Sequence, residues 1–148
     1  MKFLLVLAVV LTFAGMFFLT GAGAASNVTY VGHDKAGEAL AKGGSLANLP
    51  DLKMTAQGSH RGGPGQVEVH DKETDVFYVT DGEATFVTGG TMVGGKQNKA
   101  DQWLGTDIQG GETHHLSKGD FMVIPAGTPH WFKEVPKSVS YYVVKVLK

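Results

Sequence analysis

Beyond residue 50 the chain alternates apolar and polar positions over short stretches, each closed by glycine, proline or aspartate. A period of two puts successive side chains on opposite faces of an extended backbone, so these stretches predict half-buried β-strands. They cover residues 66–70, 75–80, 83–88, 103–108, 112–116, 121–124, 131–133 and 139–145. Residues 52–60 are extended ahead of them, with Leu52, Met54 and Ala56 on one face. Asp81-Gly82 separates two of the stretches and reads as a hairpin turn. Residues 89–102 are polar, with Gly-Gly pairs at 89–90 and 94–95, and predict a loop or hairpin tip. About nine or ten short strands at this spacing predict an all-β antiparallel sandwich or barrel. One stretch has a different period. Residues 33–42, HDKAGEALAK, set Ala36, Ala39 and Leu40 three and four apart and stop at Gly43-Gly44, which predicts a helix packed on the outside of the body. Residues 45–51 then read as a connection containing Pro50.

The first 25 residues follow another rule. Lys2 precedes an apolar run over residues 3–19, and Ala22-x-Ala24 within a run of small residues fits an export cleavage site. This predicts a secretory signal peptide, with an uncleaved anchor as the competing reading. The expected organisation is a signal peptide at 1–25, a helix and connection at 26–50 and a β-barrel at 51–148. The expected location is exported, periplasmic or extracellular, with no stable membrane span after cleavage. The absence of cysteine excludes a lipid-anchored lipoprotein and leaves the exported fold to stand on its core without disulfides. With 148 residues and 43% hydrophobic content there is material for one such core. A formal charge of -1 argues against nucleic acid or an anionic membrane surface as partner.

Two blocks carry candidate chemistry. In residues 62–82, Glu68 and His70 share one face of a strand, and Asp75, Phe77 and Val79 share a face of the next. In residues 119–134, Pro125-Ala126-Gly127-Thr128-Pro129 forces a turn that presents His130, with Phe132 and Glu134 on the same face of the outgoing strand. If the two strands adjoin inside a barrel, two imidazoles and up to two carboxylates converge, a ligand set for a divalent transition metal.

The spacing of the first block is Gly62, five residues, Glu68, Val69, His70, four residues, Asp75, six residues, Gly82; the second runs Gly119, Pro125, Gly127, His130, Glu134. These blocks resemble the two motifs of the cupin superfamily over residues 50 to 147. Glu68 stands where the usual first histidine would be, Asp75 replaces the usual glutamate, and Glu134 replaces the final asparagine. The resemblance implies a single double-stranded β-helix, or jelly-roll, barrel with Glu68, His70, Asp75 and His130 as metal ligands. Glu73 is the alternative to the shorter Asp75. Two histidines with added carboxylates imply Mn(II) or Fe(II) ahead of Zn(II). Any proton carrier is expected to be Glu134 or Glu68. The partner implied is a small-molecule ligand, and the family also allows a homodimer paired through strands or tails.

Arg61 would suit a substrate carboxylate, but it and His60 are expected to form a solvated strand end. His114 and His115 are adjacent on a strand and point to opposite sides. Phe77, Phe86, Trp131 and Phe132 are expected in the core, with Tyr78, Tyr141 and Tyr142 in the barrel wall. There is no Gly-x-Ser-x-Gly elbow and no phosphate-cradling Gly-rich loop ending in lysine. Two functions follow: an exported metalloenzyme, oxygenase-like or lyase-like, acting on a small oxygen-rich substrate, or a non-catalytic module that binds a small ligand.

Overall fold

A computed structural model describes residues 28–148. The segment read as a signal peptide, residues 1–25, lies outside the described residues. The chain opens with helix α1 (His33–Lys42) and strand β1 (Gly44–Leu49), and a single 3-10 turn, Pro50–Leu52, leads to β2 (Met54–Arg61) and β3 (Val67–His70). The long β4 (Glu73–Thr88) is followed by β5 (Thr91–Val93), β6 (Lys96–Lys99), β7 (Gln102–Gly105) and β8 (Asp107–Gln109). The remaining strands are β9 (Glu112–Ser117), β10 (Phe121–Ile124), β11 (His130–Glu134) and β12 (Val139–Leu147).

The fold is the expected all-β jelly roll, with every strand pairing antiparallel. One sheet runs β1, β2, β12, the first half of β4, then β10. The other runs β9, the second half of β4, β11, β3, β7, then β6. β5 and β8 form a separate small ribbon. Both sheets feed one core, with Phe77, Val79, Tyr141 and Val143 from the first and Ala84, Phe86, Leu116 and Phe132 from the second. Four aromatic rings lie at its centre, Phe86 against Phe132 at 4.6 Å and Phe77 against Tyr141 at 5.0 Å between centroids.

β4 belongs to both sheets, and this corrects the expectation of a hairpin at Asp81-Gly82. The strand continues through that pair, and Gly82 faces Val139 of β12. Gly82 has φ 77°, and the Ser138 carbonyl lies where its Cβ would be. A positive-φ glycine serves a tight hairpin and a bulge alike, so the residue types are the same for both. Inward positions on β4 are odd before the bend, at Asp75, Phe77 and Val79, and even after it, at Ala84 and Phe86. An irregularity of one residue turns the strand from one sheet into the other.

Two smaller expectations are also corrected. Residues read as a connection after the helix contain β1, an edge strand whose side chains are at most half-buried, so its alternation is faint. The polar stretch read as a loop or tip contains β5 and β6, the latter fully exposed and paired only with β7. The helix has the expected bounds, with Asp34 in its first turn and Lys42 in its last, which suits the helix dipole. It buries Ala39 against Gly58 of β2, where an added Cβ would lie 2.6 Å from the Ala39 carbonyl carbon and 2.7 Å from its oxygen. Gly58→Ala is therefore expected to push the helix off the sheet and destabilise the protein by about 1–3 kcal/mol. Denaturant unfolding would measure the loss, and the far-UV strand signal should be retained.

Candidate metal and ligand site

The site forms where the two glycine-framed blocks meet. β11 runs antiparallel to β3 with His130 directly opposite Glu68, so both side chains project from one face, and His70 follows two residues along on that face. The turn before β11 is held against the first block by its backbone. The Gly127 N–H donates to the His70 carbonyl at 2.7 Å, and the Ala126 N–H donates to Thr74 Oγ1 at 3.3 Å. Gly127 has φ 84°, a conformation that side chains disfavour, which accounts for glycine at this position. His70, Asp75 and His130 are all buried, and the two imidazole centroids are 5.2 Å apart.

Hydrogen bonds orient both imidazoles. His130 Nδ1 lies 3.0 Å from the Thr128 carbonyl, which only accepts, so Nδ1 carries the proton and Nε2 turns a lone pair inward. Burial lowers the pKa of His130; the Thr128 carbonyl, Asp75 and Glu68 pull the other way without offsetting it. His70 Nε2 lies 3.2 Å from Lys145 Nζ. An ammonium only donates, so this nitrogen too is an acceptor.

Lys145 is the member of the site that sequence reasoning missed. It stands directly opposite Asp75 in the pairing of β12 with β4. Its Nζ lies 2.9 and 3.0 Å from the two Asp75 oxygens and 3.1 Å from Glu73 Oε2. Burial works against its charge, but Asp75 and Glu73 together outweigh that and hold its pKa above the ordinary lysine value. A signal was present. Val139, Tyr141 and Val143 face inward at alternate positions, and Lys145 is the next in that series.

The four residues expected as ligands do come together. His70 Nε2 is 3.5 Å from Glu68 Oε2 and 3.6 Å from Asp75 Oδ2, and His130 Nε2 is 4.0 Å from the same Asp75 oxygen. Asp75 and Glu73, its alternative, both lie on Lys145. Two triplets bring their donor atoms within 4.8 Å of one another: Glu68, His70 and His130, and His70, Glu73 and Asp75. A first-row divalent ion bonds at about 2.0–2.2 Å, which sets its ligand atoms roughly 3–4 Å apart. The first triplet fits with small side-chain adjustments, whereas the second already surrounds Lys145.

A cavity of about 70 Å³ opens beside these residues, lined by Arg61, Glu68, Asp75, His130, Phe132 and Lys145 among others. Arg61 is thus not the solvated strand end expected of it. Its guanidinium lies over the Phe132 ring at 4.7 Å, donates from Nε to the Tyr141 hydroxyl at 3.0 Å and faces Glu68 at 3.5 Å. Glu134 is not among the lining residues. A register shift between Phe132 and Glu134 breaks the alternation of β11, and the exposed carboxylate accepts a hydrogen bond from Thr85 Oγ1 on the outer side. Trp131 is not core; it donates its indole N–H to the Gly65 carbonyl and covers the loop before β3. Tyr141 is core, while Tyr78 is exposed. His60 bonds Ser140 Oγ and His114 bonds Thr88 Oγ1, both away from the cavity, and His115 is exposed. Among the described residues no helix is long and apolar enough to cross a membrane.

Residues 45–146 match the family model described as Cupin. No curated protein sequence matches the chain. Among solved structures it is similar to the cupin domain of Schizosaccharomyces pombe Cnp3, at 14% identity and TM-score 0.51, over 71% of this chain and 59% of that one. It is similar as well to a cupin protein from Bacteroides fragilis, at 12% identity and TM-score 0.45, over 64% of this chain and 66% of that one. An oxalate oxidase in complex with glycolate aligns at 17% identity and TM-score 0.45, over 65% of this chain and 43% of that one. The chain therefore spans less than two thirds of the Cnp3 and oxalate oxidase structures, and likeness at these identities is one of fold. Because the family match runs across both glycine-framed blocks and nearly all of the barrel, the chain belongs to the cupin family.

Proposed function

We propose that this chain is an exported, metal-dependent cupin enzyme acting in an oxygenase-like or lyase-like reaction on a small, oxygen-rich carboxylic acid or sugar derivative. The observation that carries the reading is the convergence of two neutral imidazole Nε2 atoms and the Glu68 carboxylate beside the Arg61 guanidinium. Glu68, His70 and His130 are the residues to hold a divalent ion, and nitrogen with carboxylate donors favours Mn(II) or Fe(II) ahead of Zn(II). Such an ion supplies Lewis acidity toward a substrate oxygen and, for iron or manganese, redox capacity.

The chain's own residues set the rest. Arg61 has five N–H donors, of which Tyr141 and Glu68 engage two, so donors remain for a substrate carboxylate at the cavity wall. Phe77 and Phe132 contribute apolar wall to the cavity, and Gln57 and Gln66 contribute amides. Charge supports an anionic substrate. Glu68, Glu73 and Asp75 face two fixed cations, Arg61 and Lys145, leaving one negative charge in excess. A divalent ion would reverse that excess, and a carboxylate ligand would restore balance.

A second reading has its own support. Lys145 contacts Asp75, Glu73 and His70 as an internal cation, which favours a metal-free cupin that captures a small ligand without turning it over.

Two measurements separate the readings. Protein purified from cells supplied with iron and manganese should carry about one divalent ion per chain by elemental analysis, and His70→Ala or His130→Ala should abolish it. Protein without stoichiometric metal leaves the ligand-binding reading. Arg61→Ala should weaken binding of small carboxylates by about 10–100-fold, the equivalent of one or two charge-assisted hydrogen bonds. Thermal-shift titration with a panel of small acids would measure this, and neutral analogues should be unaffected.

A further inference from the structure

Asp75 stands where a fourth ligand is expected, yet both of its oxygens face Lys145 Nζ, at 2.9 and 3.0 Å, and Glu73 completes the ammonium's surroundings at 3.1 Å. The same ammonium reaches His70 Nε2 at 3.2 Å and so takes the lone pair that would bond a metal. We infer that Lys145 is a tethered competitor of the metal: it withdraws Asp75 from the ligand set, restricts the ion to Glu68, His70 and His130, and weakens its binding. The inference rests on the metal reading of the site.

The geometry shows how the competition runs. Three of the ammonium's contacts are to carboxylate oxygens and one is to His70. If Glu68, His70 and His130 held an ion, His70 would give up its contact to Lys145, which would keep its contacts to Asp75 and Glu73. Asp75 is almost wholly buried and has Lys145 as its directly opposed neighbour across the strands, so it keeps its cation rather than turning to the metal. Glu68, His70 and His130 would then be the residues to hold the ion, and the ammonium beside His70 would lower its affinity as a like charge. Lys145 thus acts as a positioning residue that sets both the number of ligands and the strength of binding.

The test is calorimetric titration of Mn(II) into metal-stripped wild type, Lys145→Met and the double variant Lys145→Met with Asp75→Asn. Removing Lys145 alone strands a buried carboxylate and can impair folding. The double variant exchanges the ion pair for neutral groups of similar size, a change buried pairs often tolerate. Near-UV circular dichroism reports its packing. The double variant should bind Mn(II) at least about ten-fold more tightly than wild type, because His70 is released and the like charge is gone. Lys145→Met should bind more tightly still, with a changed Mn(II) electron paramagnetic resonance spectrum as Asp75 joins the ligands. A folded double variant that binds no more tightly than wild type overturns the inference and leaves the metal reading standing, provided His130→Ala abolishes binding. Absence of Mn(II) binding in wild type and both variants overturns both.

Discussion

The bend over Thr80 to Gly82 is the constraint on which the rest of the molecule depends. One strand serves two sheets, and its inward positions must change parity to keep both halves apolar inside. The extra residue is Thr80, skipped between Val79 opposite Tyr141 and Asp81 opposite Ser140, and Gly82 beside it lets the Ser138 carbonyl come close, as only a residue without a side chain can. Ahead of the bend β4 delivers Asp75 and Phe77 to the interior; after it, the strand delivers Ala84 and Phe86, on which the ring of Phe132 rests. Without that change of parity, either the core or the acidic end of the cavity would face solvent.

Above that core the site is an exercise in pairing buried charge. Asp75 carries its cation across the strand, Glu68 faces Arg61, burial favours the neutral form of His130, and His70 Nε2 accepts from Lys145. Each arrangement reduces the penalty of taking ionised groups out of water. What remains uncommitted is small: the inward lone pair of His130 and the free donors of Arg61. Those groups face the cavity, and a ligand entering it meets an acceptor cluster on one side and a guanidinium on the other.

Much of this was legible from residue order. Period-two alternation identified the class of fold, and two glycine-framed blocks located Glu68, His70, Asp75 and His130 in one volume because strand alternation and a Pro-x-Gly turn restrict where their side chains can go. The misreadings share a physical origin. Asp81-Gly82 looked like a hairpin because turns and bulges recruit the same residues, and only the pairing with β12 distinguishes them. Glu134 was carried inward by assuming unbroken alternation through a register shift that no residue type announces. Arg61 was assigned to solvent because a long charged side chain at a strand end normally goes there, whereas here its stem leads to Tyr141 and the face of Phe132. Lys145 was passed over because its partner lies 70 residues earlier, a distance that local pattern does not span.

The position of β12 has a consequence for how the molecule comes into being. This final strand fits between β2 and β4, and its tyrosine at 141 binds an arginine 80 residues earlier. Closing loops of that length is slow compared with forming local hairpins. Until the strand inserts, β2 has no neighbour on its inner edge, and the carboxylates of Glu73 and Asp75 have no ammonium beside them. A nascent chain therefore presents an open, acidic half-barrel, and its interior becomes a chamber only when the last ribbon zips into the gap.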